Sequence, residues 1–362
     1  MINTKFLQNI LNPLHIGNKK RKLHVNPTIE PQRIELTETT IFLYEYDENK
    51  CVAFPIKAVE ETFAHFDSPA ITWLNVEGLR KNDVELIGNH FGIHPLIIED
   101  ILHVSLRPKM DELNDLVFCV LNMLYYEENK GIESEQVSIV LGKNFVITFQ
   151  EDPARDVFNA IRDKIKITGS KIRTNGADFL FYSLIDSIVD NYFIVMDLLG
   201  EKIELLEEEI SRSPKKQTLA KINMLRKEMI FLKRSVSPVR ELVNGILRSE
   251  SKLIDERTEK YFKDVYDHIV QASDLAENYR DMMMNLQDLY LNNVNLKTNE
   301  AMKVMAIVTC LMAPATVIGG IFGMNFDIIP LAHDPIGFYI PIFFMVIIPV
   351  IMLFVFKRRG WF

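Results

Sequence analysis

Two stretches near the end of the chain carry no charged residue, Val304 to Phe326 and Pro335 to Phe356. Each is long enough to cross a hydrocarbon core of about 30 Å at about 1.5 Å rise per residue. In hydrocarbon every backbone amide needs a partner within the protein, so both read as membrane helices. Residues 327–336, with Pro330 and Pro335, form the loop between them. Flanking charge orients the hairpin. Lys297 and Lys303 precede the first span and Lys357-Arg358-Arg359 follow the second, while the loop holds Asp327, His333 and Asp334 but no Lys or Arg. The excess of positive charge puts both outer ends on the cytoplasmic side, with Trp361 as an interfacial anchor. A multi-pass protein of the cytoplasmic membrane, with both termini in the cytoplasm, is expected.

The rest of the chain divides by pattern. Residues 1–33, punctuated by Pro13, Pro27 and Pro31, read as a flexible tail, and its cluster Lys19-Lys20-Arg21-Lys22 as solvated or touching phospholipid. Residues 34–170 read as an α/β cytosolic domain. Its strands are expected at Thr40–Tyr46, Cys51–Pro55, Ile71–Val76, Asp115–Tyr125, Gln136–Leu141 and Asn144–Gln150, short runs rich in β-branched and aromatic residues. The pair Val137–Leu141 and Phe145–Phe149 reads as a hairpin across Gly142-Lys143-Asn144. Asn82–Phe91 and Pro95–Leu102 read as helices, the second with proline in its first turn. Beyond residue 170 apolar residues recur every three or four positions. Residues 171–250 are expected as a cytosolic helical hairpin (Asp178–Ile210 and Lys215–Leu247), turned at Ser213-Pro214 and kinked at Pro238. Residues 251–326 hold a stalk helix with no proline or glycine from Lys252 to Ala313. It can run unbroken into the first span (about 303–323) as a rod on the order of 100 Å. The second span is 337–357, followed by a basic tail, 358–362.

Composition excludes several classes. Lys and Arg number 41 against 49 Asp and Glu, a net charge of -8, which argues against a general nucleic-acid binder. Cys51, Cys119 and Cys310 are far apart and form no CxxC, so neither a disulfide framework nor a zinc knuckle follows. No GxxxxGK[ST] loop is present and no nucleotide is expected. No nucleophile–base constellation appears, so the chain does not read as an enzyme.

Two patterns can carry chemistry. The segment Asp178–Ile210 holds nine carboxylates and one lysine, with Asp186, Asp190 and Asp197 on one helical face, while Asp264, Asp267 and His268 crowd one turn further on. Hard divalent cations take oxygen ligands, and magnesium binds through one or two carboxylates plus retained water; a solvated acidic face is the plainer alternative. In the first span Asn299, Met302, Ala306, Thr309, Ala313, Thr316 and Gly320 recur at alternating steps of three and four, a small or weakly polar stripe. It can line water or let helices pack closely, as Gly319 and Gly323 also would. Two spans cannot enclose a channel, so a water-lined stripe requires several copies about one axis.

The triplet Gly323-Met324-Asn325 after the first span, followed by a short loop and a second span with a basic end, resembles the CorA family of magnesium transporters. The resemblance covers roughly residues 35–362. It includes His94-Pro95-Leu96-Ile97-Ile98-Glu99-Asp100-Ile101-Leu102, Arg107-Pro108-Lys109, Glu135-Gln136-Val137-Ser138, Tyr182 to Asp186 and Tyr261 to His268. Phe322 stands where many relatives have Tyr, and Ile328-Ile329-Pro330-Leu331 where many have Met-Pro-Glu-Leu. The resemblance implies a funnel-shaped homopentamer in the bilayer and gradient- and potential-driven magnesium uptake, extending to cobalt and nickel. Gly323, Met324 and Asn325 would receive the hydrated ion. Asn299, Met302, Met305, Thr309, Ala313, Thr316 and Gly320 would line the conduit, with Met302 and Met305 as its apolar constriction. Regulatory Mg2+ would sit between subunits, Asp100 facing Asp264 across one ion while Glu99 and Asp186 serve another. Two other readings stand beside this one: a zinc transporter of the same superfamily, to which His103 and His268 could contribute, and a non-conducting membrane-anchored sensor or scaffold.

Overall fold

The computed structural model describes residues 39–66, 68–103, 106–113, 115–128, 130–152, 155–212, 215–324 and 336–361. The N-terminal tail with its Lys19-Lys20-Arg21-Lys22 cluster, Ser213-Pro214, Asn325 and the loop carboxylates Asp327 and Asp334 lie outside them.

The first part of the chain forms β1 (Thr40–Tyr46), β2 (Cys51–Ile56), a 3-10 helix at Val59–His65, β3 (Ile71–Glu77), α1 (Lys81–His90), α2 (Pro95–Leu102), β4 (Lys109–Leu113), β5 (Leu116–Glu127), β6 (Gly131–Leu141) and β7 (Phe145–Gln150). The seven strands make one sheet in the order β2-β1-β3-β7-β6-β5-β4. β3 and β7 pair in parallel and the other neighbours run antiparallel. The expected hairpin is β6–β7, with Leu141 opposite Val146 and Ser138 opposite Phe149. Strand β5 shows why its sequence is an unbroken apolar run. Leu116, Phe118 and Val120 enter the core beneath α1 and α2, whereas Val117, Cys119 and Leu121 enter a core shared with later helices. Both sheet faces are covered, so there is no polar alternation.

Strand β4 is not foreshadowed in the sequence. Lys-Met-Asp-Glu-Leu has no strand pattern, but it pairs from Lys109 opposite Val120 to Leu113 opposite Leu116 at the sheet edge. Its charged residues there discourage further strand addition.

The remaining elements are α3 (Asn159–Lys166), α4 (Lys171–Thr174), α5 (Ala177–Arg212), α6 (Lys216–Arg248), α7 (Glu256–Phe322) and α8 (Tyr339–Arg358). α5 is as long and apolar as a membrane span, but 56% of its apolar window is buried inside the protein, against 6% for α7 and α8. Its apolar face packs on β5 and on α7. One hydrophobic cluster therefore runs from the sheet through α5, α6 and α7. α6 remains helical through Pro238, and α7 is a single helix of 67 residues that passes through Pro314.

Two clamps fix α5 against α7. The N–H of Asp255 donates to Asp178 Oδ2 at 3.1 Å, and Asn293 Nδ2 donates to the carbonyl of Ile210 at 3.1 Å. The helices therefore run parallel. α6 runs the other way, with Lys233 Nζ 3.2 Å from Glu277 Oε1. Asp255 also starts α7, its carboxylate accepting from the N–H of Arg257 at 2.8 Å.

Candidate functional site

The lower part of α7 faces α5 across a seam. Phe262, Val265, Ile269 and Ala272 are buried there, and Tyr182 and Phe179 of α5 pack their rings on Tyr261. On its rim the parallel register brings Asp186 and Asp190, one helical turn apart on α5, to His268 on α7. One ligand atom from each lies within 4.8 Å of the others. Tyr182 donates its hydroxyl hydrogen to Asp186 Oδ2 at 3.2 Å. Burial pushes the carboxyl of Asp186 above its ordinary range, and the adjacent Asp190 adds to this. His268 Nδ1 is buried and has no hydrogen-bond partner among the described residues. Two carboxylates whose mutual repulsion a cation would relieve, with an imidazole alongside, form a donor set fit for a divalent ion.

The four sequence-derived sensor residues are not all in this group. Asp186 is at its centre. Asp264 is exposed on the preceding turn of α7, near enough to raise the pKa of Asp186 further. Glu99 and Asp100 are on α2. Glu99 is exposed, whereas Asp100 has a partner in its own chain: Lys109 Nζ lies 2.6 Å from its carboxylate and 2.9 Å from Asp111. Sequence reasoning put Asp190 on one face with Asp186 but did not join His268 to them, and it missed Lys109 as the counter-ion of Asp100. The i, i+4 spacing of Asp186 and Asp190 was the available signal.

The upper part of α7 is different. Ile307 is the one buried residue between Asn299 and Phe322, at 6% exposure. Ile307, Leu311, Pro314 and Ile318, spaced four, three and four, are among the shielded positions, and α8 packs on this side. An apolar crevice between the two helices is bordered by Ala313, Pro314 and Ile318 on α7 and by Ile348 and Met352 on α8. Thr309, Thr316 and Gly320 of the stripe lie off this crevice, whereas Ala313 borders it and Asn299, Met302 and Ala306 border a recess with Arg359, Gly360 and Trp361. Asn299, Met302, Ala306, Thr309, Ala313, Thr316 and Gly320 are all exposed, and Met302 and Met305 stand 55% and 71% open. Thr309 Oγ1 donates to the carbonyl of Met305 at 2.9 Å and Thr316 Oγ1 to that of Met312 at 3.0 Å. With its hydrogen engaged in the helix, each hydroxyl turns lone pairs outward as a neutral acceptor. Gly323 caps the helix, its N–H donating to the carbonyl of Gly319 at 2.9 Å, and Met324 is exposed beyond it.

A family model described as CorA-like Mg2+ transporter protein matches residues 68–358. The chain belongs to the CorA family. Among the relatives, the cobalt/magnesium transport protein CorA of Thermotoga maritima is 40% identical over 326 residues, 90% of this chain and 92% of that one. The complete structure of the CorA magnesium transporter from Methanocaldococcus jannaschii superimposes with a TM-score of 0.73 at 22% identity, covering 90% of this chain and 100% of that one. The cytoplasmic domain of ZntB from Vibrio parahaemolyticus shares the fold of the soluble part, with a TM-score of 0.55 at 19% identity over 71% of this chain and 98% of that one. CorA membership accounts for the pairing of a sheet-containing domain with long helices.

Proposed function

We propose that this protein carries magnesium, and with it cobalt and nickel, across the cytoplasmic membrane through a conduit made by five copies of α7. The observation that carries the reading is the bare stripe. α8 covers one side of the upper α7 and leaves the side with the outward-facing threonine oxygens open. Other copies placed around a common axis would bring those oxygens onto a water-filled passage. Magnesium dehydrates reluctantly, so neutral oxygens that meet its water shell suit it better than carboxylates that would hold it. Gly323, Met324 and Asn325 would receive the ion at the outer mouth, and the apolar Met302 and Met305 rings would stop it by dewetting. The driving force would be the gradient and the membrane potential, about 2.3 kcal/mol per charge per 100 mV.

Regulation would lie in the carboxylates. Two carboxylates about 5 Å apart repel by roughly 3 kcal/mol at an effective dielectric near 20. An ion between Asp100 of one copy and Asp264 of the next, with Glu99 and Asp186 at a second ion, would turn this repulsion into attraction and favour a closed pore when cytosolic magnesium is high. Lys109 holds Asp100 in the absence of that ion and would compete with it. A second reading, zinc as cargo, draws on the imidazole of His268 beside Asp186 and Asp190.

The test is flux into liposomes with magnesium, cobalt or zinc outside, with and without a proton gradient. Magnesium flux that needs no proton gradient and collapses in Asn325→Ala supports the first reading. Zinc flux that follows the proton gradient supports the second. Vesicles impermeable to all three metals at every potential would falsify both. Mass measurement in detergent should give five chains.

A further inference from the structure

A cavity of about 910 Å³ lies between the sheet domain and the helices α6 and α7, far from the two apolar spans. Its volume is that of a small-molecule site. Pro108, Glu135, Gln136, Ser235 and Pro238 are buried in its wall, whereas Arg107, Ile230, Phe231 and Arg234 are exposed at its rim. The amide of Gln136 fixes the wall. Its Nε2 donates to the carbonyl of Asp100 at 3.2 Å, and its Oε1 accepts from the N–H of Leu106 at 3.0 Å.

Two lining groups of opposite charge are unsatisfied. Glu135 is 6% exposed. Its Oε1 accepts from the N–H groups of Glu151 and Asp152, both at 2.7 Å, while its Oε2 is buried with no hydrogen-bond partner among the described residues. Burial pushes this carboxyl up to about 7, and a donor on Oε2 would lower it. On α6, the guanidinium of Arg234 has no partner among the described residues. The other cations of the lining are loosely or jointly held. Lys233 and Arg280 share Glu277 at 3.2 and 3.0 Å, Arg280 also pairs with Asp281 at 2.8 Å, and Arg107 is 3.9 Å from the exposed Glu241. The cavity is therefore bipolar. Its acids, Glu135, Glu151 and Asp152, come from the sheet side, and three of its four cations from α6 and α7. Leu106, Tyr125, Met229 and Pro238 supply apolar surface.

We propose that this cavity binds a nucleoside triphosphate whose base carries an amino group. The amino group donates to Glu135 Oε2, the flat ring lies against Leu106, Tyr125 and Met229, and the phosphates meet Arg234 with Arg107, Lys233 and Arg280. One unmet acceptor calls for one N–H donor, and a cluster of cations with a free guanidinium calls for a polyanion. A bare polyphosphate would leave Glu135 unmet, and a linear polyamine would be repelled by the cations. The chain has no Walker-type phosphate loop, so binding without hydrolysis is assigned. Binding stands apart from conduction: either can fail while the other persists.

Equilibrium dialysis of the full chain in detergent tests this, with ATP and inosine triphosphate as probes at millimolar magnesium. The two differ at one ring position, an amino group in the first and a carbonyl oxygen in the second. ATP should bind once per chain and about tenfold more tightly than inosine triphosphate. Glu135→Gln keeps one side-chain oxygen and puts an amide donor in place of the other acceptor. It should reverse the order of the two nucleotides, which misfolding would not do. Arg234→Gln should weaken both about tenfold. Arg240→Gln, which removes an exposed charge of the same helix outside the cavity, should change neither by more than about twofold. Five results would overturn the proposal: no saturable ATP binding at millimolar concentration, as when a neighbouring copy fills the cavity; equal affinity for the two nucleotides; an unchanged order in Glu135→Gln; equal loss in the two arginine variants; or inorganic tripolyphosphate binding as tightly as ATP, which would mean that no base is read.

Discussion

The lower and upper parts of α7 belong to one helix but have opposite surroundings. Below, Phe262, Val265, Ile269, Ala272, Ala276, Met283 and Leu286 are buried against α5, α6 and the sheet domain. Above, side chains just as apolar stand open, among them Val304, Val308, Met312 and Val317. A long helix needs tertiary packing along its apolar face, and here the chain supplies it for one part only. The lower part is a folding element complete within one chain. The upper part is covered on one side by α8 and otherwise keeps an open apolar surface among the described residues.

This contrast can be broken or sharpened by substitution. The largest effect is expected from Phe262→Ala, a fully buried ring in the lower seam. It should cost about 3–5 kcal/mol, read as a lower denaturant midpoint of the detergent-solubilised protein. A loss below about 1 kcal/mol would mean that the seam is not a true core. Magnesium and pH sharpen the same region. The carboxyl of Asp186 is raised in the folded protein by burial and by Asp190. Its contribution is therefore favourable below the unfolded pKa and is lost as pH rises through the folded one. Without metal, stability attributable to this group should fall as pH rises from the ordinary carboxylate range upwards. A divalent ion should remove the loss, and Asp186→Asn should flatten the profile. A profile that is the same with and without magnesium would dissociate the cluster from metal binding.

In the upper part, Thr316→Leu on the bare face should leave stability nearly unchanged and reduce flux roughly tenfold, since an added apolar ring dries the passage. Lost stability with undiminished flux would make the stripe a packing seam. The smallest effect is expected from Val308→Ala, off both the stripe and the α8 face: within about 0.5 kcal/mol in stability.

The contrast also separates what the sequence could say from what it could not. The periodicity of α7 and the absence of Gly and Pro from Lys252 to Ala313 led to a helix observed from Glu256 to Phe322. β1 and α2 were legible to the residue because turn residues bound them sharply. β4 was not, because an edge strand of charged residues has no apolar rhythm, and its place comes from pairing with β5. The same holds for the acidic cluster. Asp186 and Asp190 share a face by spacing, but His268 joins them only through the register that the Asp178–Asp255 and Ile210–Asn293 hydrogen bonds set. The counter-charge of Lys109 on Asp100 depends on how the sheet edge passes the end of α2. The stripe was readable as a pattern; which side α8 would occupy was not.

The 67 uninterrupted residues of α7 also have a mechanical consequence. A rod on the order of 100 Å, pivoted near its cytosolic end and tilted by only about 2°, sweeps its far tip through roughly 3 Å. That is about the diameter of one water molecule. A small displacement at the base is thus geared up along the helix, with no glycine or proline from Lys252 to Ala313 to absorb it.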